Sequence, residues 1–327
     1  MLMKTITATS SGRPSRTAVR RKSGVLKDLY KNRSLLVMFL PFAVLLLLFN
    51  YLPMAGLVIA FKDFDFSKGI FGSSWMNPLL SNFEYLFSSD AAFRAMRNTV
   101  LLNILFITVG LVFEVGFALV LNEIRHKFFK RVTQSITFLP FFISWIVVGV
   151  FSYNLLNYES GSINRLIEWM GFPGIDFYSS SGLWPLILTI AIRWKVTGYG
   201  TIIYLAALTS IDQSYYEAAA IDGASRWQQI RHISLPMLRP TVIILTLLAV
   251  GRIMNADFGM FYAMVGDASL LFPTTDVIDT FVYRSLRKTG DIGMASAAGF
   301  LQSTVAFVLV LSSNYAARKI DKDSAIF

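Results

Sequence analysis

Cysteine is absent from this 327-residue chain. That excludes disulfide frameworks, thiolate metal sites, iron–sulfur clusters and cysteine nucleophiles together. Histidine is nearly absent as well. Only His126 and His232 occur, with no HExxH and no spacing that gathers two imidazoles on one metal. Charged residues make up 15%, against about 25% in soluble domains. There is no GxxxxGK[ST] loop for nucleotide phosphates, no GxSxG elbow and no Ser/His/Asp set. Gly198-Tyr199-Gly200 lacks the third glycine of a dinucleotide fingerprint and lies in an apolar run, where paired glycines let helices pack closely. No enzyme, no metal and no cofactor site is therefore expected in the chain itself.

Apolar residues are abundant instead. They reach 54%, with 28 Phe and 13 Tyr, more than a soluble protein of this size can keep from water. Six stretches are long enough to cross a ~30 Å hydrocarbon core. They are residues 34–61, 98–122, 132–158, 184–208, 240–255 and 292–317. Lipid offers no partner to backbone amides, so each is read as a helix, and all are too long and uniformly apolar for barrel strands. The expectation is an all-α membrane protein with six transmembrane helices. The first stretch follows a basic leader of about 30 residues, which reads as a span rather than a cleaved signal. Its Pro53 and Gly56 predict a broken helix end.

Charge sets the orientation. With the N-terminus inside, segments 1–33, 123–131, 209–239 and 318–327 hold 19 of the 30 Lys and Arg, and segments 62–97, 159–183 and 256–291 hold 8. Both termini are thus expected in the cytoplasm of a bacterium, with the chain in its cytoplasmic membrane. The organisation reads as a basic, disordered tail 1–33, a six-helix domain 34–317 and a short tail 318–327. The basic tail suits an anionic lipid surface better than nucleic acid.

The loop 209–239 carries the richest local signals. Ser214 with Glu217 reads as a capping box opening one helix, and Ser225 with Gln228 as a second. Gly223 reads as the stop between them, and Leu235-Pro236 as the end of the second helix. Ala218, Ala219 and Ala220 leave room for another surface to approach. Tyr215, Tyr216 and Trp227 are anchors of the kind found at interface cores.

Glu217-Ala218-Ala219, three residues, Gly223, nine residues, then Ile233-x-Leu235-Pro236 resembles the EAA loop of the permease subunits of binding-protein-dependent ABC importers. Trp194-Lys195 through Gly200, Tyr204-Leu205-Ala206-Ala207-Leu208, Asp222 and Asn82-Phe83-Glu84-Tyr85-Leu86-Phe87 are similar to the carbohydrate branch, and within it to oligosaccharide and polysaccharide-fragment permeases, alginate-type importers included. The resemblance covers roughly residues 35–320. It implies a type I importer permease whose loop docks on an ATPase. It also implies a second, related permease as a heterodimer partner, two ATPase subunits that bind ATP and Mg, and an extracytoplasmic solute-binding protein. The rival class, an ATP-independent secondary transporter or channel, calls for inverted repeats or a relay of acids, and neither is visible.

Ionisable groups inside spans are costly and mark pathways or internal pairs. At 1.5 Å per residue, Arg193 is expected about 14 Å deep, Arg252 about 18 Å from the inside and Glu114 about 24 Å from the outside, nearer in level to Lys195 than to Arg252. Two readings stand. The four groups form interhelical ion pairs, or the three cations line a cavity suited to a uronate chain. Asn255 and Gln302 either bond sugar hydroxyls or join helices.

Overall fold

The computed structural model describes residues 30–320, so residues 1–29 of the basic tail and 321–327 of the C-terminal tail lie outside the described residues. The chain divides into two units at Ala55 and Gly56. Helix α1 (Arg33–Leu46) and the π-helical turn to which it widens (Leu47–Tyr51) lie in the first, and the boundary falls within the 3-10 stretch that follows, Leu52–Phe61. The change of pitch falls where Pro53 withholds a backbone donor, as its position predicts.

In the second unit a two-stranded hairpin pairs β1 (Lys62–Asp63) with β2 (Ser74–Trp75). Lys62 is buried beneath it and donates to the carbonyls of Ile70, Phe71 and Ser73 at 2.8, 3.2 and 3.1 Å. Helix α2 (Ser81–Ser88) leads into α3 (Asp90–Glu123). The latter starts eight residues before the apolar run because Ser89 caps it through the Ala92 amide and Asp90 sits in its positive first turn. Helix α3 packs along α7 (Trp184–Thr209), and buried Leu102, Phe106, Trp184 and Leu188 share one core cluster.

The third apolar run is not one straight helix. It forms α4 (Lys127–Phe138) with a 3-10 turn at Leu139–Phe142, then α5 (Trp145–Leu156), bent by 96°. Pro140 tightens the first piece, and the hydroxyl of Ser144 accepts from the Val147 amide to start the second. Mean hydropathy does not register such a break, because the residues around it, Ser144 apart, are apolar. A short helix, α6 (Ser162–Trp169), follows.

The loop helix α8 (Gln213–Ile221) precedes α9 (Arg226–Gln229), which runs through a π-helical turn (Ile230–Ser234) directly into α10 (Leu235–Val250). Leu235-Pro236 therefore does not end a helix. The wider π turn lies just before Pro236, where its missing donor falls. The long apolar helix at the fifth stretch runs over Arg226–Val250, starting before and ending before residues 240–255 do, and the chain then turns irregularly before α11 (Phe258–Met264) and α12 (Ile278–Thr289). Helix α13 (Ile292–Ile320) is last. Among the described residues five helices are long and apolar enough to cross a bilayer, and the bent pair makes a sixth if counted as one.

Candidate coupling loop and membrane-embedded polar residues

Helix α8 begins two residues earlier than the Ser214–Glu217 box predicts. Asp212 takes the cap, its carboxylate accepting the Ser214 amide at 2.9 Å, and these hydrogen bonds hold its pKa below the ordinary carboxylate value. Glu217 is left exposed and free of capping duty. The second box forms as read: the Ser225 hydroxyl accepts from Gln228 N, and Gln228 Oε1 accepts from Ser225 N at 2.7 Å. Between the helices Gly223 has φ +81°, a left-handed conformation that strains any side chain. Among the described residues Asp222 forms no ion pair. Arg226 instead approaches Glu123 at 3.9 Å and Gln229 Oε1 at 3.4 Å, tying the loop to the end of α3.

The loop is pinned from beneath by Tyr216, whose hydroxyl lies 2.9 Å from that of buried Ser234. Above that bond its outer face is open. Ala218, Leu235 and Pro236 are exposed, Ala219 and Ile233 half-buried, and Ile221 and Trp227 are 87% and 68% exposed. Large apolar side chains in water beside small alanines are the signature of a surface awaiting a partner.

Within the membrane, Glu114 and Arg193 meet at 3.0 Å, both largely buried, on α3 and α7. Glycines make room for them: a Cβ at Gly110 would strike the Arg193 guanidinium, and one at Gly200 the Glu114 carboxylate. Gly198 lies equally close to the Thr137 carbonyl. The Gly198/Gly200 pair thus serves helix packing. Lys195, on the opposite side of α7 from Arg193, is 8% exposed. Its ammonium donates to the carbonyls of Phe141 at 2.8 Å and Ile143 at the break between α4 and α5, and lies 3.5 Å from that of Pro140, which also accepts the Ile143 amide. The Phe141 and Trp145 rings flank it.

A second break, between α10 and α11, is held the same way. The Asn103 amide donates to the carbonyls of Ile253 at 2.9 Å and Asn255 at 3.2 Å. Gln302 donates to the Met254 carbonyl at 2.6 Å, and Asp279 accepts the Ala256 amide at 2.8 Å. Trp145 Nε1 donates to Asp257 at 2.6 Å, joining the starts of α5 and α11, whose backbones touch because Gly149 meets the Ala263 carbonyl. Arg252 and the Asn255 side chain remain exposed at this second break. Irregular backbone at membrane depth occurs only against protein or a wet cavity. Asn103, Trp145, Asp257 and Asp279 escaped sequence reading, since partners 23 residues apart for Asp279 and more than 100 apart for the others leave no local period.

Comparison with known proteins places this geometry. Residues 106–322 match the model of the family described as binding-protein-dependent transport system inner membrane component. Protein LplB of Bacillus subtilis is 35% identical over 295 residues, covering 90% of this chain and 92% of that one. The polygalacturonan/rhamnogalacturonan transport system permease protein YteP of the same organism is 34% identical over 303 residues, 93% of each chain. Among solved structures, a chain of a bacterial alginate ABC transporter in complex with an alginate pentasaccharide-bound periplasmic protein superimposes with TM-score 0.82 at 32% identity, covering 91% of this chain and 98% of that one.

Proposed function

Because the chain belongs to the family of binding-protein-dependent transport system inner membrane components, the permease subunits of ABC importers, we propose that it forms one half of the membrane path for an acidic oligosaccharide. The observation that carries the coupling role is the exposed face of the 209–239 loop, with Glu217, Ala218, Ala219, Asp222, Gly223, Ile233, Leu235 and Pro236 set on a helix–glycine–helix frame. That frame has the shape and chemistry to enter a cleft of an ATPase subunit. ATP and Mg would bind there and not on this chain.

In this reading a related second permease completes the path, two ATPases sit on the cytoplasmic side and a solute-binding protein delivers cargo from outside. The chain lies in the bacterial cytoplasmic membrane with both termini inside. ATP closes the ATPase pair, the rigid loop moves with it, and the permease pair switches from inward- to outward-facing. Acidic cargo is supported by the polygalacturonan and alginate transporters to which the chain is similar. Of the polar groups in the spans, we assign Arg252 and Asn255 to the path, because they face open space at a break. Glu114, Arg193, Lys195 and Gln302 serve as scaffold, because their hydrogen bonds are spent on other helices.

The test is uptake into vesicles that hold the complete importer. Oligogalacturonate should enter only with ATP and the binding protein, and Arg252→Gln should slow its entry per assembled complex. Uptake of neutral oligosaccharides alone would refute the acidic cargo and leave the permease assignment standing. Cysteines placed at Ser180 and Ser324 test orientation: an impermeant thiol reagent should label the first and not the second in intact cells.

A further inference from the structure

At the end of the fold away from the coupling loop, where Asn98 on α3 bonds the Phe272 and Pro273 carbonyls, α11 and α12 set four side chains against one another. Phe258 and Tyr262, one turn apart on α11, stack with centroids 5.2 Å apart and planes at 17°. Tyr283 on α12 meets both rings edge-on at 5.0 and 5.3 Å. One turn further on, Arg287 places Nη1 3.3 Å from the Tyr283 hydroxyl and 3.5 Å from that of Tyr262.

Two features separate this cluster from ordinary packing. The core face of α12 is carried by Ile278 and Phe281, both buried, so the rings of Tyr262 and Tyr283 lie on its other side, and Tyr262 is 43% exposed. Arg287 is exposed and, among the described residues, has no carboxylate within ion-pair distance, although Arg284 and Lys288 on the same helix are paired with Asp276 and Asp267. The phenol oxygens take up one nitrogen of the fork and hold the guanidinium upright, leaving its remaining donors free. Phe258 follows Asp257 directly, so the cluster begins at the break that exposes Arg252 and Asn255.

We propose that Phe258, Tyr262, Tyr283 and Arg287 form a platform for one uronate unit of an acidic oligosaccharide on its way to the break. The C–H face of a pyranose ring is apolar and electron-poor and lies on the negative face of an aromatic ring. Its carboxylate takes the free edge of the Arg287 fork, which matches it in two places. Rings with few rotatable bonds and an arginine held before the cargo arrives keep the ordering cost low. The proposal rests on the acidic cargo argued above and adds the residues that meet it.

The experiment uses the complete importer with its binding protein in vesicles, and a short oligogalacturonate beside its methyl ester. Arg287→Gln should raise the KM for the acid relative to that for the ester by about tenfold, the cost of one charge-assisted contact. Tyr262→Ala with Tyr283→Ala should raise both KM values, while Tyr262→Phe with Tyr283→Phe keeps stacking and mimics only the arginine change. Saturation-transfer NMR of oligogalacturonate on the importer in nanodiscs, without binding protein, gives a readout free of turnover: ring-proton signals should be lost in the double alanine variant. Wild-type uptake of both sugars with unchanged KM ratios in every assembled variant would overturn the platform and spare the cargo assignment. Wild-type uptake of the ester alone would overturn the cargo assignment, and the arginine contact with it.

Discussion

Replacing Lys195 with methionine removes the donor from the break between α4 and α5 while keeping the length of the stem. The Phe141 carbonyl at 2.8 Å and the Ile143 carbonyl hold the close hydrogen bonds, and Pro140 at 3.5 Å is at the limit. A buried acceptor left without a partner costs about 1–3 kcal/mol. Two of them lose roughly 2–6 kcal/mol, and relief of the desolvated ammonium offsets part, for a net loss of about 2–4 kcal/mol. At ~2–4 °C per kcal/mol for a chain of this size, the melting temperature of the purified complex should fall by roughly 10 °C. Lys195→Arg should recover part of the loss, because a planar fork reaches some of the three carbonyls but not all. The assay is thermal melting followed by intrinsic tryptophan emission, with Trp145 5.4 Å from the ammonium as a local reporter. A Lys195→Met importer that melts with the wild type yet loses uptake would refute the reasoning and return the ammonium to the cargo path.

Gly223→Pro should leave membrane insertion intact and uncouple uptake from ATP hydrolysis, since φ +81° is closed to proline; substrate-stimulated hydrolysis at the wild-type rate would contradict this. Glu114→Gln should destabilise by about 3–5 kcal/mol by leaving Arg193 buried and uncompensated, and Glu114→Gln with Arg193→Met by less than the two single losses together, checked as a double-mutant cycle in melting. Asp276, 1% exposed just before α12, is raised above its ordinary 3.8 because burial outweighs Arg284 and Arg94. The native state then holds a proton that the unfolded chain has already released, so stability from this group is full below 3.8 and falls as pH rises through the elevated value. Asp276→Asn should flatten that acid-range slope in melting temperature.

Legibility in the sequence followed the range of the interaction. The Ser225–Gln228 box and the Gly223 bend are local, and both formed as read. The Ser214–Glu217 box was local too, but Asp212 is an equally good cap slightly upstream and won. Proline at 236 is a stop only if the preceding helix keeps its pitch, and the π turn at Ile230–Ser234 relaxes that condition. The apolar run 132–158 hid its break because hydropathy counts side chains and not carbonyls. Depth arithmetic placed Glu114 nearer Lys195, whereas the pair that forms is with Arg193, on the face of α7 where Gly110 and Gly200 leave space. A rise per residue gives height, and only packing gives azimuth.

The bond between Lys195 and the first break also sets a timetable for biosynthesis. The Phe141 carbonyl leaves the ribosome 54 residues ahead of the ammonium that will bind it. At about 5–20 residues per second that is an interval of roughly 3–11 s during which the Phe141 and Ile143 carbonyls lack that donor. Hydrocarbon cannot supply one. The α4–α5 segment is thus bound to wait in a hydrated place, at the membrane surface or inside the insertion machinery, until α7 arrives. A stall placed between residues 156 and 184 would strand the segment there, open to the quality-control proteases that a finished span never meets.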